Sequence, residues 1–189
     1  MVYILTNTHT VLKADVRPQE CQPGDSCATA ILHLKLKKTL SHEIFLEQQK
    51  YLDISALASF TSLNKLNQRG RFRAGLNLVE PNGQHFNFNH GSSSCGLGYA
   101  LALFECWWEV ILNKPGRFNF PVFATGEILA SGHLKPINHL GDKIENACLF
   151  VEKSEFSVRG FYICYPEQNH DEVTEDLRNR VSNRHSAPN

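Results

Sequence analysis

Two residues in this sequence have the chemistry of a hydrolytic pair if the fold brings them together. One is Ser94, in the run GSSSCGLG that opens at Gly91. The other is Lys143, the last residue of TGEILASGHLKPINHLGDK. A serine hydroxyl is a poor nucleophile near neutral pH and needs an adjacent base. A lysine amine can be that base only when neutral, which requires burial to draw its pKa down from about 10.4. The residues after Ser94 are apolar almost all round, including Leu97, Ala100, Leu101, Leu103, Phe104, Trp107, Val110 and Ile111. That pattern predicts a centrally buried helix over residues 94–113, with its N-terminus held as a fixed point. Free backbone N–H groups at such an end favour developing negative charge, so an oxyanion could be stabilised beside Ser94. Gly96 and Gly98 let another backbone or a substrate approach closely.

Each half of the pair also has an ordinary reading. Serines ahead of a helix are good N-caps, and Gly-x-Gly after a serine run could cradle a phosphate. Lys143 lies beside the apolar positions Ile144, Ala147, Cys148 and Leu149. A lysine there ordinarily snorkels, with its stem on the greasy face and its amine in water.

The elements that must position these residues can be read from the hydrophobic period. Residues 2–5 and 11–16 are β-branched and apolar and predict two strands. Residues 18–26 form a loop around Pro23-Gly24-Asp25. Residues 28–36 alternate apolar and polar, which predicts a half-buried strand. Apolar steps of three and four from Ile44 to Leu66 predict an amphipathic helix, N-capped by Ser41 and ended by residues 67–70. Residues 72–79 predict a strand, 80–83 a turn, and 84–90 a short strand or extended loop. After the serine helix, Lys114-Pro115-Gly116 marks a stop. Residues 121–127 and 129–135 predict a hairpin, 140–151 a helix and 156–165 a last strand. Residues 171–181 predict a terminal helix with acids early and arginines late, as the helix dipole favours. The expected architecture is one α+β or mixed α/β domain over residues 1–181, helices packed on a mixed sheet, with a frayed tail over 182–189.

Composition narrows the function classes. The chain has 189 residues, 42% of them apolar and 20% charged, with a formal net charge of zero. Such a balance offers no electrostatic footprint for nucleic acid or an anionic membrane. The basic runs at Lys35, Lys37 and Lys38, and at Arg178, Arg180 and Arg184, read as solvated faces. The greasiest window, 97–112, contains Glu105 and Glu109 and is too short and too charged to span a bilayer. None of the six cysteines forms a C-x-x-C pair, which points away from zinc. Cys106, Cys148 and Cys164 lie in apolar segments as small core residues, and a reduced, cytoplasmic setting is expected. Cys21 and Cys27 flank QPGDS as a loop pair, with a disulfide between them left open.

The paired runs resemble the proteolytic domain of Lon-type serine proteases. That family carries a nucleophile turn Gly-Pro-Ser-Ala-Gly, then Thr-Gly-Glu-Ile, a Gly, and Leu-Pro-Ile-Gly-Gly-Leu-Lys-Glu-Lys. Ser94 takes the nucleophile position, with Cys95 and Gly96 for the Ala-Gly. Thr125, Gly126, Glu127 and Ile128 match directly, as do Gly132, Pro136, Ile137 and Leu140. Asp142 replaces Glu, and Lys143 takes the catalytic lysine position. LNLVEPNG and FYICYPEQNHDEVTEDLRNRV resemble flanking segments, so the likeness covers residues 72–181. It departs in Ser92 and Ser93 for Gly-Pro, Gly91 for Asp, Asn138-His139 for Gly-Gly, Gly141 for Lys, and a longer connection over 113–120.

The resemblance implies a Ser–Lys dyad that needs no metal and no cofactor. Ser94 would attack the scissile carbonyl, Lys143 would move the proton, and Thr125 would hold the amine, with Cys95, Gly96 and Glu127 in support. It implies a polypeptide substrate and assembly in a ring, commonly hexameric in that family. No Gly-x-x-x-x-Gly-Lys-Ser/Thr nucleotide loop occurs in these residues, so a separate ATPase or adaptor is an expected partner. Two other readings remain open. A catalytically inactive Lon-like assembly or binding module would not need Ser94, Thr125 and Lys143 together. A GHMP-type small-molecule kinase carries a phosphate loop that residues 92–98 partly echo, but it leaves the TGE and Lys143 runs unexplained.

Overall fold

The computed structural model describes residues 1–6, 10–25, 28–33, 41–64, 71–79, 92–113, 118–153 and 160–182. The expected features at 34–36, 67–70, 80–91, 114–116, 156–159 and 183–189, together with Cys27 and Arg184, lie outside the described residues.

The fold is α+β. A six-stranded mixed sheet has the order β3-β4-β2-β1-β5-β8. Its strands are β1 (Val2–Leu5), β2 (Val11–Gln19), β3 (Ala28–His33), β4 (Phe72–Val79), β5 (Val122–Ala124) and β8 (Tyr162–Cys164). β1 pairs antiparallel with β2 and parallel with β5, and β5 runs parallel to β8. The helices are α1 (His42–Asn64), α2 (Gly96–Leu112), α3 (Leu140–Lys153) and α4 (Glu175–Ser182).

β1 explains how the helices divide between the two faces. All four of its residues are buried, as a strand covered on both sides must be. Alternate side chains point oppositely. Val2 and Ile4 join Leu52 and Ala56 of α1 and Tyr99, Leu103 and Trp107 of α2 in one core. Tyr3 and Leu5 join Phe123 and the α3 residues Leu140, Ile144, Ala147 and Cys148 in the other, with Leu177 of α4. The sheet is therefore a middle layer between an α1/α2 layer and an α3/α4 layer.

Local signals account for the boundaries. The Ser41 hydroxyl accepts the Ile44 N–H at 3.3 Å, so Ser41 caps α1 as its position predicts. α2 ends at Asn113, which takes the left-handed conformation at φ 47°, a role open to Asn among few non-glycine residues. On the outer strand β3, the Gln49 side chain from α1 accepts from Leu32 N–H at 3.0 Å and donates to Ala30 C=O at 2.8 Å. That side chain stands in for a neighbouring strand.

Several expectations need correction. The hairpin expected over 121–135 divides in two. Residues 122–124 enter the main sheet beside β1, and only β6 (Glu127–Ile128) and β7 (Leu134–Lys135) form a hairpin of their own. The apolar run up to Ala124 belongs to a strand covered on both faces, and Thr125-Gly126 breaks it from β6. The terminal helix begins at Glu175, after a 3-10 turn Glu167–Glu172. The Thr174 hydroxyl accepts the Leu177 N–H at 3.4 Å and resets the helix start. On α1, Leu57 is 48% exposed while Gln48 and Ser55 are fully buried. The buried stripe there is partly polar because Ser55 and Ser59 donate to Gly96 C=O and Ala100 C=O of α2, at 2.9 and 2.7 Å.

Gly98 fixes the height of α2 over the sheet. A Cβ at Gly98 would lie 2.5 Å from Ile4 Cγ1, and Ile4 is fully enclosed. Gly98→Ala is expected to cost about 1–3 kcal/mol by overpacking. The thermal midpoint should fall roughly 2–4 °C for each kcal/mol lost. An unchanged midpoint by circular dichroism would show that α2 is not seated on β1 as described.

Candidate active site

Ser94 sits in a 3-10 turn, Ser93–Cys95, that runs straight into α2. Two backbone hydrogen bonds fix this turn against the end of β5. Gly126 N–H donates to Ser94 C=O at 2.7 Å, and Leu97 N–H donates to Gly126 C=O at 2.8 Å. A side chain on either side of this approach would be tightly packed. A Cβ at Gly96 would meet Ile128 Cγ2 at 3.1 Å and Ile128 N at 3.2 Å, and one at Gly126 would meet Leu97 Cβ at 3.2 Å. The match of small residues across the two runs thus has a steric cause.

Thr125 follows the last residue of β5 and is fully buried. Its N–H continues the parallel pairing to Cys164 C=O at 3.1 Å. Lys143 lies in the first turn of α3, with its N–H on His139 C=O at 3.3 Å. Leu140, Ile144 and Ala147 pack into the core, and Lys143 goes in with them at 1% exposure. The snorkelling reading is therefore excluded.

The three side chains converge. Lys143 Nζ lies 3.2 Å from Ser94 Oγ and 3.3 Å from Thr125 Oγ1. Thr125 Oγ1 also lies 3.4 Å from Ser94 C=O, a weak contact. Ser94 is 7% exposed. Each layer supplies one member: Ser94 from the head of α2, Thr125 from the sheet, and Lys143 from the head of α3.

Burial pushes the Lys143 amine below the usual lysine pKa, and the charge of Glu172 opposes this only in part. A Cys95 thiolate would also raise it, but burial lifts the Cys95 thiol to about 11. That thiol is neutral near pH 7, so its opposition is absent there. The net direction favours a neutral amine.

The remaining expected residues take lesser parts. Cys95 is fully buried in the core beneath α2. Gly96 serves the close approach just described. Glu127 pairs with Lys135 across the β6–β7 hairpin at 2.9 Å. The Lys135 hydrogen bond holds the Glu127 carboxyl below its usual range. Three of the backbone donors around Ser94 are engaged within the protein. Cys95 N–H donates to Ser92 C=O at 3.2 Å, Gly96 N–H to Ser93 C=O, and Leu97 N–H to Gly126 C=O.

No family model matches this sequence, and no curated protein matches it.

Two contributing residues escape a sequence reading. Asn169, 2% exposed, accepts the Ile137 N–H at 3.0 Å and donates to Ile137 C=O at 2.7 Å. Glu172 accepts from Leu140 N–H at 3.3 Å and from the Asn169 amide. Together they pin the loop that launches α3. The only signal for them is polar residues placed after Pro166, which is indistinguishable from an exposed turn. Among the described residues, no three His, Cys, Asp or Glu side chains are grouped to hold a metal ion. No described helix is long and apolar enough to cross a membrane.

A depressed lysine pKa carries a stability signature. Protons bind the unfolded chain more readily than the folded one between the folded-state pKa and the ordinary lysine value, so stability rises with pH across that window. The cost of burying the amine is complete below the folded-state pKa and vanishes above the unfolded one. Lys143→Met, which keeps the length and removes the charge, is expected to raise the thermal midpoint at neutral pH. The gain should shrink as pH climbs through that window. A gain independent of pH would mean that Lys143 does not titrate differently on folding.

Proposed function

We propose that this domain is a serine endopeptidase of the Lon-like kind, hydrolysing peptide bonds in unfolded proteins or peptides with a Ser94–Lys143 dyad. The observation that carries the reading is the 3.2 Å approach of Lys143 Nζ to Ser94 Oγ in a place where the amine is almost wholly excluded from water. Serine and lysine alone are common. A buried lysine whose amine meets two hydroxyls has the state a general base needs.

The chemistry follows from that contact. Ser94 Oγ forms a bond to the scissile carbonyl carbon, and the carbonyl π pair moves onto oxygen. The Ser94 proton passes to Lys143 Nζ. When the tetrahedral intermediate collapses, the C–N bond breaks and Lys143 gives that proton to the leaving amine. Lys143, neutral again, then takes a proton from water. The hydroxyl attacks the acyl carbon, the Ser94 ester bond breaks, and Nζ returns the proton to Ser94 Oγ. Thr125 keeps the amine aimed through both halves. Its hydroxyl oxygen accepts an N–H from the amine in both its neutral and its charged form, leaving the lone pair of the neutral amine to the Ser94 proton.

The phosphate-loop reading has less support. A phosphate cradle needs open backbone donors, and those of Cys95, Gly96 and Leu97 are engaged within the protein. The wider context is proposed from the resemblance, a ring assembly, hexameric in that family, acting on polypeptide delivered by an ATPase or adaptor outside these residues, and from the apolar setting of the cysteines, a reduced, cytoplasmic location.

The test is cleavage of an unfolded protein such as casein. Ser94→Ala and Lys143→Ala should each lower kcat by about 10³-fold or more and retain the helical circular dichroism of the parent. The rate of the parent should rise with pH through the depressed Lys143 pKa, because only the neutral amine accepts the proton. Full activity in either variant would refute the dyad.

A further inference from the structure

The hydroxyl of Ser92 touches the proposed nucleophile and has no part in the dyad. Ser92 Oγ lies 2.9 Å from Ser94 Oγ. Ser92 is only partly buried, more open to solvent than Ser94 at 7% exposure. Ser92 is also one of the positions at which the turn departs from the Gly-Pro-Ser pattern. A glycine there would bring no side-chain donor.

Proton accounting fixes the direction of this contact. When Lys143 is neutral, the single proton of Ser94 points at Nζ. The contact between the two serines then has only one proton left to use, and it belongs to Ser92. In the reactive state Ser92 therefore donates. After attack, Ser94 Oγ is bonded to carbon and becomes a weak acceptor. Negative charge has moved to the former carbonyl oxygen, attached to the same carbon. The backbone donors of Cys95, Gly96 and Leu97 are already committed.

We infer, resting on the peptidase reading, that Ser92 is a catalytic residue whose hydroxyl donates to the oxyanion of the tetrahedral intermediate. The step is a transfer of one hydrogen bond from Ser94 Oγ to the new oxyanion, with no proton lost or gained by Ser92.

The test compares Ser92→Ala with Ser92→Thr in the full chain. Ser92 has φ −115° and ψ 99°, an extended conformation that threonine adopts without strain. Ser92→Ala should lower kcat by about 10²–10³-fold, the effect of one oxyanion donor, with KM nearly unchanged and the pH midpoint of the rate unmoved. A peptide boronate, whose adduct carries a tetrahedral oxygen at this position, should bind Ser92→Ala more weakly in parallel with kcat/KM. Ser92→Thr should recover most of both. A Ser92→Ala enzyme with parental kcat overturns the assignment, and so does a defect confined to KM. If Ser94→Ala is dead while Ser92→Ala is unaffected, the dyad stands and the Ser92 assignment falls. Activity that survives Ser94→Ala, or a parent that neither cleaves peptides nor binds the boronate, removes both.

Discussion

The arrangement depends on an amine held out of water. Lys143 is among the largest fully buried side chains of the protein. Burying an ammonium group without a partner costs several kcal/mol even after the interior relaxes. The interior has two ways to lower that cost: supply a carboxylate and keep the charge, or supply neutral partners and let the proton leave. Here the immediate partners are the hydroxyls of Ser94 and Thr125. Glu127, the acid of the same motif, is drawn to Lys135 at 2.9 Å. Glu172 is occupied by Leu140 N–H and the Asn169 amide. The charge of Glu172 still opposes the loss of the proton, but burial is the larger influence, and the environment of the amine favours the form that a base requires.

Holding that amine against a hydroxyl demands agreement among parts far apart in the chain. Ser94 and Lys143 rise from helices on opposite faces of the sheet, and they meet only because both helices begin at the same end of β5. The registration is backbone work. Gly126 exchanges two hydrogen bonds with the turn at Ser94 and Leu97, which sets the serine relative to Thr125 in the next position. Gly98 on Ile4 sets the height of the same helix. Small residues at these places look incidental in a sequence, but each marks a distance of closest approach on which the geometry rests.

Much of this arrangement is legible in the amino-acid sequence. The resemblance of the two runs to the Lon-type pattern implies one site for Ser94, Thr125 and Lys143, and the three side chains do meet. Alternation and helical period place most strands and the main helices. The failures have physical reasons. β5 is apolar on both faces because it lies inside the sheet, so its period cannot separate it from the hairpin that follows. Gln48, Ser55 and Ser59 are polar and buried with partners on α2, and no local pattern encodes a partner 41 or 51 residues away. Asn169 is hidden for the same reason: its partners are the backbone groups of Ile137. Hydrophobic periodicity reports which face is buried, but it is silent on polar groups buried in pairs.

The loop before α3 shows how such hidden pairs offset a departure from the expected pattern. Where the resembled motif has Gly-Gly, this chain has Asn138 and His139, and His139 takes φ 59°. A left-handed residue with a side chain costs roughly 1–2 kcal/mol. The loop also gains two hydrogen bonds between Asn169 and Ile137, one in each direction, and one donated by Leu140 N–H to Glu172, each worth about 1 kcal/mol net, and more where a charge takes part. The sum outweighs the strain. A glycine pair would have allowed the turn without holding it. Here the backbone is held in it by side chains from the 3-10 turn of residues 167–172, which lies beyond both helices of the proposed dyad. Lys143, one turn into α3, inherits that fixity. The direction of its amine is therefore set as much by Asn169 and Glu172 as by the hydroxyls it meets.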